Sequence, residues 1–294
     1  MAQNDEAVIV AAVGYVFTAE PGTAAPTPAE LDTVDPELFG SQTQTVKVTG
    51  DPTSYTLMVG SGTPEETAPL APAATAAQVQ AAIEALAVVG AGNSIVTGVS
   101  AADTAGLTIT WIGAKQGQTI PITEGTYVGG TVPDTVITET AAPNGWATLG
   151  HTSRDDMPEF GFDGGDTEVK GTWQKKRLRE IATGDPVADS VTINLAQWDR
   201  NTLELYFGAD SANTAGVFGV SGDFVPVEKG LLIIIVDGDV RLGFYAPKSS
   251  FKRDDSVNLP VDDLSSLPVK ATFLNLGARR LYDWISEDLF PLAV

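Results

Sequence analysis

The sequence predicts a mainly β protein with one small α+β unit in its middle. Only 19% of the 294 residues are charged and 7% are aromatic, while 30 Gly and 18 Pro punctuate the chain. Many short runs rich in Thr and Val lie between these turn residues, which indicates strands joined by short loops. A chain of this length can form one large or two ordinary domains with a buried core.

Charge and composition exclude several classes of function. The formal net charge is -21, with one His and no Cys. Disulfides and thiolate chemistry are therefore excluded, and a His-based metal site or catalytic triad is disfavoured. A surface that binds duplex DNA needs Lys and Arg to displace phosphate counterions, so the strongly negative net charge argues against such a surface here. We expect no catalytic residues, no cofactor and no metal site.

The first 41 residues predict a strand followed by a long loop. Asp5 and Glu6 occupy the place where a secretory signal is positive, and the apolar run Val8–Phe17 is shorter than the ~20 residues of a membrane span. We expect a soluble protein without membrane insertion, with a strand at Ala7–Phe17. Residues 20–41 are rich in Pro, Ala, Thr and Glu, which indicates either a solvated surface loop or an arm that packs on a neighbouring subunit.

Residues 42–141 predict the small α+β unit, with a single helix. Thr75 and Gln78 form a capping-box pattern, and Val79, Ile83 and Leu86 fall on one face of the helix behind it. Gly90 is a plausible stop for that helix. Strands are predicted at Thr45–Thr49, Tyr55–Val59, Ile95–Thr97, Leu107–Ile112, Thr119–Ile122 and Val132–Thr138.

Residues 143–181 predict a hairpin followed by a positive cluster. Met157–Phe162 is a candidate strand, and the two glycines of Asp163–Asp166 favour a turn because they accept positive φ. Thr167–Trp173 is then the returning strand. The cluster that follows is Lys175, Lys176, Arg177 and Arg179.

The last third of the chain predicts strands and two short helices. Asp199–Phe207 fits a strand or a short helix, and a helix is favoured because Asp199 is a good N-cap, Gly208 follows its end, and Leu203 and Phe207 are four residues apart. Asp237-Gly238 is the preferred turn of a hairpin, and the unbroken apolar run Leu231–Val236 before it suggests a strand covered on both faces. The remaining predictions are the hairpin's returning strand Asp239–Tyr245, the strands Val191–Leu195 and Val269–Leu276, and a helix Tyr282–Leu289 with Trp284 and Ile285 packed inward.

Three pairs of adjacent carboxylates invite an enzyme interpretation, but the pattern does not favour one. They are Asp155-Asp156, Asp254-Asp255 and Asp262-Asp263. Adjacent residues on a strand point to opposite faces, so such pairs seldom converge on one site and are better explained as solvated turns. The segment Phe162–Asp166 lacks the alternating oxygen ligands and the distal Glu of a calcium loop. His151 is expected to be an ordinary hydrogen-bonded histidine.

An ordered set of segments resembles the major tail proteins of long-tailed bacteriophages, most closely those of actinobacterial phages. The segments are Gly145-Trp146, Leu149–Ser153, the turn Asp163–Asp166 with Glu168–Trp173, Val217–Val220, Leu232–Phe244, Phe251–Asp255, Leu259–Pro268 and Trp284–Phe290. The resemblance covers residues 1–40 and 142–294. It implies a discontinuous tail-tube domain, 1–41 and 142–294, that carries an inserted α+β domain at 42–141.

The resemblance implies a fold and an assembly. The fold is an antiparallel β-sandwich with a flanking helix, and its members form hexameric rings whose strands join into a barrel around a channel. Rings stack into the tail, which is a virion structure assembled in the host cytoplasm. The implied partners are further copies of the chain and the tape-measure, tail terminator and distal tail proteins. DNA would pass through without specific binding, repelled by an acidic lumen.

Site residues follow from this interpretation as hypotheses. The 158–174 hairpin with Asp163, Asp166 and Glu168 is the candidate lumen element, and the inserted domain should project from the outer wall. Lys175, Lys176, Arg177 and Arg179 are candidate inter-subunit contacts rather than a nucleic-acid patch. The inserted domain resembles modules of phage virion and bacterial surface proteins. Three roles are open for it: it adds bulk, it binds host glycans weakly, or it contacts another virion protein. Alternatives for the whole chain are a spike protein that binds host glycans and a hydrolase that uses carboxylates.

Overall fold

The computed structural model describes residues 8–290, except 155, 166, 171, 183–186, 213, 215, 258 and 263. The described part is mainly β, with antiparallel strand pairs and few helices, which confirms the predicted fold class. The chain divides into two compact units, Met1–Asp32 with Leu149–Val294, and Thr33–Thr148. We refer to them as unit 1 and unit 2. The assignment of residues 42–141 as an inserted domain stays a prediction.

The described helices and strands follow one another as a long series of short elements. The helices are α1 (Pro28–Thr33), α2 (Ala76–Glu84) and α3 (Arg200–Phe207), with a 3-10 turn at Gly113–Lys115. The strands are β1 (Val13–Ala19), β2 (Thr43–Thr49), β3 (Ser54–Val59), β4 (Glu65–Glu66), β5 (Ser94–Gly98), β6 (Leu107–Trp111), β7 (Ile122–Val128), β8 (Asp134–Ala141), β9 (Ala147–Thr148), β10 (Glu159–Asp163), β11 (Thr167–Lys170), β12 (Arg179–Ala182), β13 (Ala188–Leu195), β14 (Val227–Asp237), β15 (Val240–Arg253), β16 (Leu267–Phe273) and β17 (Asp283–Ile285).

Unit 1 is built on one antiparallel sheet with the strand order β10-β13-β16-β15-β14-β1, and β17 pairs with β15. The long hairpin β14–β15 is its centre. Its register shifts between Lys229 and Leu231, and irregularities of this kind bend a strand pair. The hairpin closes at Gly238-Asp239, one residue later than predicted, because Asp237 pairs with Val240 and Gly238 has a φ of 59°.

The first four residues of the predicted apolar run in β14 are covered on both faces, whereas Ile235 and Val236 are partly exposed. Leu231, Leu232, Ile233 and Ile234 are all at most 2% exposed. One face joins a core that includes residues of β13, β15 and β16. On the other face Leu31 of α1 is fully buried, and a Cβ on Gly243 would lie only 3.0 Å from its Cδ2.

Helix α1 corrects the prediction of an irregular loop over residues 20–41. The Glu30 carboxylate accepts the backbone N–H of Thr27, and the Thr27 hydroxyl accepts the backbone N–H of Glu30, which makes a capping box. Pro28 occupies the first helical position. These signals were in the sequence. The segment therefore supplies a buried leucine to its own chain and is not a purely solvated loop.

Unit 2 contains the sheets β5-β6-β2-β8 and β4-β3-β7 with α2. The capping box of Thr75 with Gln78 is present, and Val79, Ile83 and Leu86 are buried, as predicted. The helix ends at Glu84 with Ala85 as C-cap, before the predicted stop at Gly90. The predicted strand Thr119–Ile122 is wrong, since β7 begins only at Ile122.

Helix α3 is confirmed, and the predicted helix at the C-terminal end is wrong. Asp199 caps α3 by accepting the backbone N–H of Thr202 at 2.9 Å. Its buried residues are Thr202, Leu205 and Tyr206, while Leu203 and Phe207 of the predicted face are partly buried and pack against the same core. Residues 283–285 form β17 against β15, where the Trp284 ring packs 4.9 Å from that of Phe244, so tertiary packing overrides the local helical pattern.

Candidate assembly surface

The edge strand β10 is the first feature of a candidate surface for self-assembly. It pairs with β13 from Glu159 opposite Thr192 to Asp163 opposite Ala188. Its other edge has no strand partner within the described part of the chain. Phe160 and Phe162 are 40% and 72% exposed on this strand. An edge with free backbone groups and exposed apolar side chains is a template for pairing with another chain.

One face of the sheet next to this edge is polar. Glu159, Thr192, Lys270 and Lys252 lie opposite one another across β10, β13, β16 and β15, so they share that face. The Lys270 Nζ donates a hydrogen bond to the Asp163 carboxylate at 2.7 Å. This bond, with the attraction between the charges, holds the pKa of Asp163 below its ordinary value and raises the pKa of Lys270. The face thus carries charges of both signs.

The predicted hairpin between residues 157 and 173 does not form. Strand β10 pairs with β13, whereas β11 pairs with β12 in a separate two-stranded sheet, with Thr167 opposite Ala182 and Lys170 opposite Arg179. Asp163 and Glu168 therefore lie on different sheets, and Asp166 lies outside the described residues. Glu168 forms an ion pair with Lys170 on its own strand. That any of these carboxylates lines a channel stays a prediction.

The loop between β11 and β12 carries the positive cluster. Lys175, Lys176 and Arg177 lie in the loop, and Arg179 begins β12. The loop is closed by two backbone hydrogen bonds between Thr172 and Lys175, of 2.7 and 3.1 Å. All four cations are exposed, and none forms an ion pair with another described residue. Their role as inter-subunit contacts stays a prediction.

The same hairpin exposes apolar side chains that the sequence reasoning did not single out as a site. Trp173 is 99% exposed, and Val169 and Leu178 are about half exposed. The signal for Trp173 was its position at the end of the predicted strand Thr167–Trp173, two residues before the positive cluster. A two-stranded hairpin is marginally stable in water unless something packs on it, so these side chains point to a partner.

The paired carboxylates do not form a reactive centre where the structure describes them. Asp254 accepts a hydrogen bond from Thr192 Oγ1, while Asp255 accepts one from the backbone of Ser256. Asp155 and Asp263 lie outside the described residues. Within the described ranges no three His, Asp or Glu side chains cluster so that they could hold a metal ion. His151 is exposed, and its backbone N–H donates to Gln197.

Among the helices that the structure describes, none is both long and apolar enough to cross a lipid bilayer.

A mainly β chain with a free sheet edge and an exposed apolar hairpin has the features of a self-assembling structural protein. A family model described as "Phage tail tube protein" matches residues 1–51 and 124–294. The chain belongs to this family and is a structural component of the phage tail.

Two mycobacteriophage proteins are similar along nearly the whole chain. The chain is 37% identical over 293 residues to the major tail protein Gp23 of Mycobacterium phage D29. That alignment covers 100% of this chain and 98% of the phage D29 protein. The chain is 36% identical over 290 residues to the protein of the same name from Mycobacterium phage L5, with 99% and 96% covered. The alignments therefore extend through residues 52–123, which the family model does not match.

Proposed function

We propose that copies of this chain close into hexameric rings that stack to form the tail tube, and that DNA passes through the tube during ejection. The protein acts as a structural subunit without catalytic activity. The observation that carries the proposal is the unpartnered edge of β10, within the described residues, in a chain that belongs to the tail tube family. Pairing of this edge with a strand of the next copy extends the sheet from one subunit into its neighbour.

Such a contact joins two different surfaces and is therefore heterologous. Repeated by rotation, a heterologous contact closes into a ring, and repeated along an axis it produces a filament. A closed ring of strands also removes the exposed edge, which protects the assembled protein from further pairing. Ring closure requires that β10 pairs with a different strand of the next copy, because pairing of two β10 edges would give a two-fold dimer.

The acidity of the chain supports a lumen that DNA does not stick to. With a formal charge of -21, we expect the surface that lines the channel to be negative. Carboxylates repel phosphates, whereas clustered Lys and Arg would hold them by releasing counterions. Asp163, Asp166 and Glu168 remain our candidates for this lining. A density map of the assembled tube with a net basic lumen would contradict the proposal.

Further partners follow from the same proposal. A tube needs proteins that set its length and close its ends, and we infer contacts with the tape-measure, tail terminator and distal tail proteins. The absence of Cys is compatible with assembly in the reducing host cytoplasm. We place the inserted domain, residues 42–141, on the outer wall, since a domain in the channel would obstruct DNA.

Electron microscopy of the purified protein, concentrated at moderate salt, tests the proposal. Hollow tubes or stacked six-fold rings with outward projections are the expected result. Because a tube subunit can require an initiator complex, the same preparation is also incubated with tail-tip complexes from the phage. Closed trimers, or single copies that remain unassembled even with the initiator, would contradict the proposal.

A further inference from the structure

An apolar groove opens on unit 1 beside β1 and β14. It has a volume of about 250 Å³. The floor of the groove is formed by β1 and β14 on their core-facing side, near the point where Gly14 pairs with Ile235. A Cβ on Gly14 would meet nothing closer than the Ile234 carbonyl oxygen at 3.8 Å, so the glycine leaves the groove open. The lining includes Ala12, Gly14, Met157, Pro158, Phe160 and Ile235.

The groove and the β11–β12 hairpin are complementary in shape and polarity. The groove offers apolar walls and room for one large ring, and the hairpin exposes Trp173 almost completely, at 99%. Arg154 lines the groove and is suited to stack on an indole face. Trp173 is so exposed that it does not occupy the groove of its own copy.

The two surfaces are also complementary in charge. Lys175, Lys176 and Arg177 follow Trp173 after Gln174, whereas the exposed carboxylate Asp156 directly precedes the groove residues Met157 and Pro158. Opposite charges around an apolar centre steer docking and fix its register. In a chain with a net charge of -21, a cluster of positive charge beside an exposed tryptophan is a local exception that suits an acidic partner such as another copy.

We propose that Trp173 of one copy docks into this groove on a second copy. The inference rests on the proposed function, because it takes the second copy to be the neighbouring tube subunit. Its two surfaces differ, so the contact is heterologous and can propagate from copy to copy. Trp173 is then the buried anchor of the contact, and the three cations form its polar rim.

Cross-linking tests the contact directly, since the natural chain has no Cys. One tagged copy carries Gln174→Cys, which keeps Trp173, and a differently tagged copy carries Ala12→Cys in the groove. We expect a short bis-maleimide to join the two tags in assembled tubes. Gln174→Cys mixed with Val261→Cys is the matched control, because Val261 is also 99% exposed but lies outside the groove.

Two substitutions test the same contact from opposite sides. Trp173→Ala removes the anchor, and Gly14→Leu fills the groove from its floor. Each should abolish the cross-link and raise the protein concentration needed for tube formation by about tenfold or more, as expected for a buried aromatic anchor. Trp173→Phe should cost less than Trp173→Ala. Circular dichroism of single copies should be unchanged for Trp173→Ala, since an exposed side chain contributes little to folding.

The outcomes separate this inference from the proposed function. Tubes that form without the Gln174–Ala12 cross-link overturn the groove contact and leave the tube assignment intact. A cross-link that appears only after residues 1–7 are deleted shows that the chain fills its own groove, and it also overturns the contact. An unsubstituted chain that never assembles, even with the initiator, overturns the proposed function itself.

Discussion

Asp210 organises the loop after α3 through three contacts. Its carboxylate accepts the backbone N–H groups of Gly219 and Ala212, each at 2.8 Å, and its Oδ2 lies 2.6 Å from Arg200 Nη1. The two backbone hydrogen bonds, helped by the charge of Arg200, lower the pKa of Asp210 below its ordinary 3.8. The folded state therefore prefers the ionised carboxylate.

We expect Asp210→Asn to lower the melting temperature at pH 7. A depressed carboxyl pKa stabilises the folded protein above the unfolded-state value of 3.8, and this contribution is lost as the pH falls through the folded-state pKa. The difference in melting temperature between the natural protein and Asp210→Asn should therefore shrink below about pH 4. Thermal unfolding from pH 3 to pH 7 measures it. Asp223→Asn, in the same loop with an exposed side chain, is the control, and equal effects of both variants would contradict the prediction.

Short-range residue contacts were predictable, and long-range ones were not. The caps Thr75 with Gln78 and Asp199 with Thr202 join residues three apart, so the sequence displays both partners together. The partner of Asp163 is Lys270, 107 residues away, and only the order β10-β13-β16 brings them together. No local pattern encodes such a contact.

At the scale of elements, the cap of α2 gives a direct test of helix stability. Thr75 Oγ1 accepts the N–H of Gln78, while the Gln78 side chain accepts the N–H of Thr75. We expect Thr75→Ala to destabilise unit 2 by about 1 kcal/mol. Thr75→Ser keeps the hydroxyl and should retain most of the stability. Chemical denaturation measures both, and equal losses for the two variants would show that the hydroxyl has no capping role.

The wrong hairpin shows where local turn signals fail. Gly164 and Gly165 both have positive φ, so the predicted turn residues do adopt the left-handed backbone that such a turn needs. The strand before them nevertheless pairs with β13, and there the Phe160 ring packs 4.7 Å from that of Phe244. Packing of apolar rings across distant strands decided the pairing, and such packing is not visible in a sequence window.

The positive loop between β11 and β12 should serve assembly rather than folding. We expect the triple variant Lys175→Glu, Lys176→Glu and Arg177→Glu to impair tube formation strongly, because rim charges steer association. Its single copies should unfold at the same denaturant concentration as the natural protein, since exposed charges contribute little to stability. Sedimentation of tubes and denaturation of single copies measure the two effects.

A charge-preserving variant is the control for that experiment. Lys175→Arg, Lys176→Arg and Arg177→Lys keep the positive charge and should assemble normally. Tube formation by the natural chain should also weaken as salt rises, because salt screens exposed charges over about 10 Å. Normal assembly of the triple glutamate variant would remove these residues from the interface.

At the scale of the whole molecule, the two units should be separable. We expect deletion of residues 43–141, replaced by a short Gly-Ser linker, to leave a soluble protein that still forms tubes. Unit 1 has its own buried core, and Thr43 pairs with Ala141, so the two cut ends lie side by side. Electron microscopy should show tubes without outward projections. Insoluble protein would contradict the outer-wall placement of the inserted domain.

A smaller deletion makes the comparison sharper. A second deletion removes only residues 52–123, the part that the family model does not match. It takes away α2 and the strands β5 and β6, which belong to the same sheet as β2 and β8. Val46 and Val48, at most 4% exposed in the intact protein, would then lose their cover. This variant should be less soluble than the larger deletion, because a bare two-stranded hairpin is marginally stable and its apolar face invites aggregation.

The pairing of Thr43 with Ala141 also has a practical consequence. Register partners on neighbouring antiparallel strands have Cα atoms about 5 Å apart. A foreign domain whose own termini are adjacent can therefore be grafted between them without stretching the chain. In a tube each subunit would then present one copy of the graft at a fixed repeat. With residues 42–141 on the proposed outer wall, the protein would be a genetically encoded scaffold for displaying antigens or enzymes at regular intervals along a nanotube.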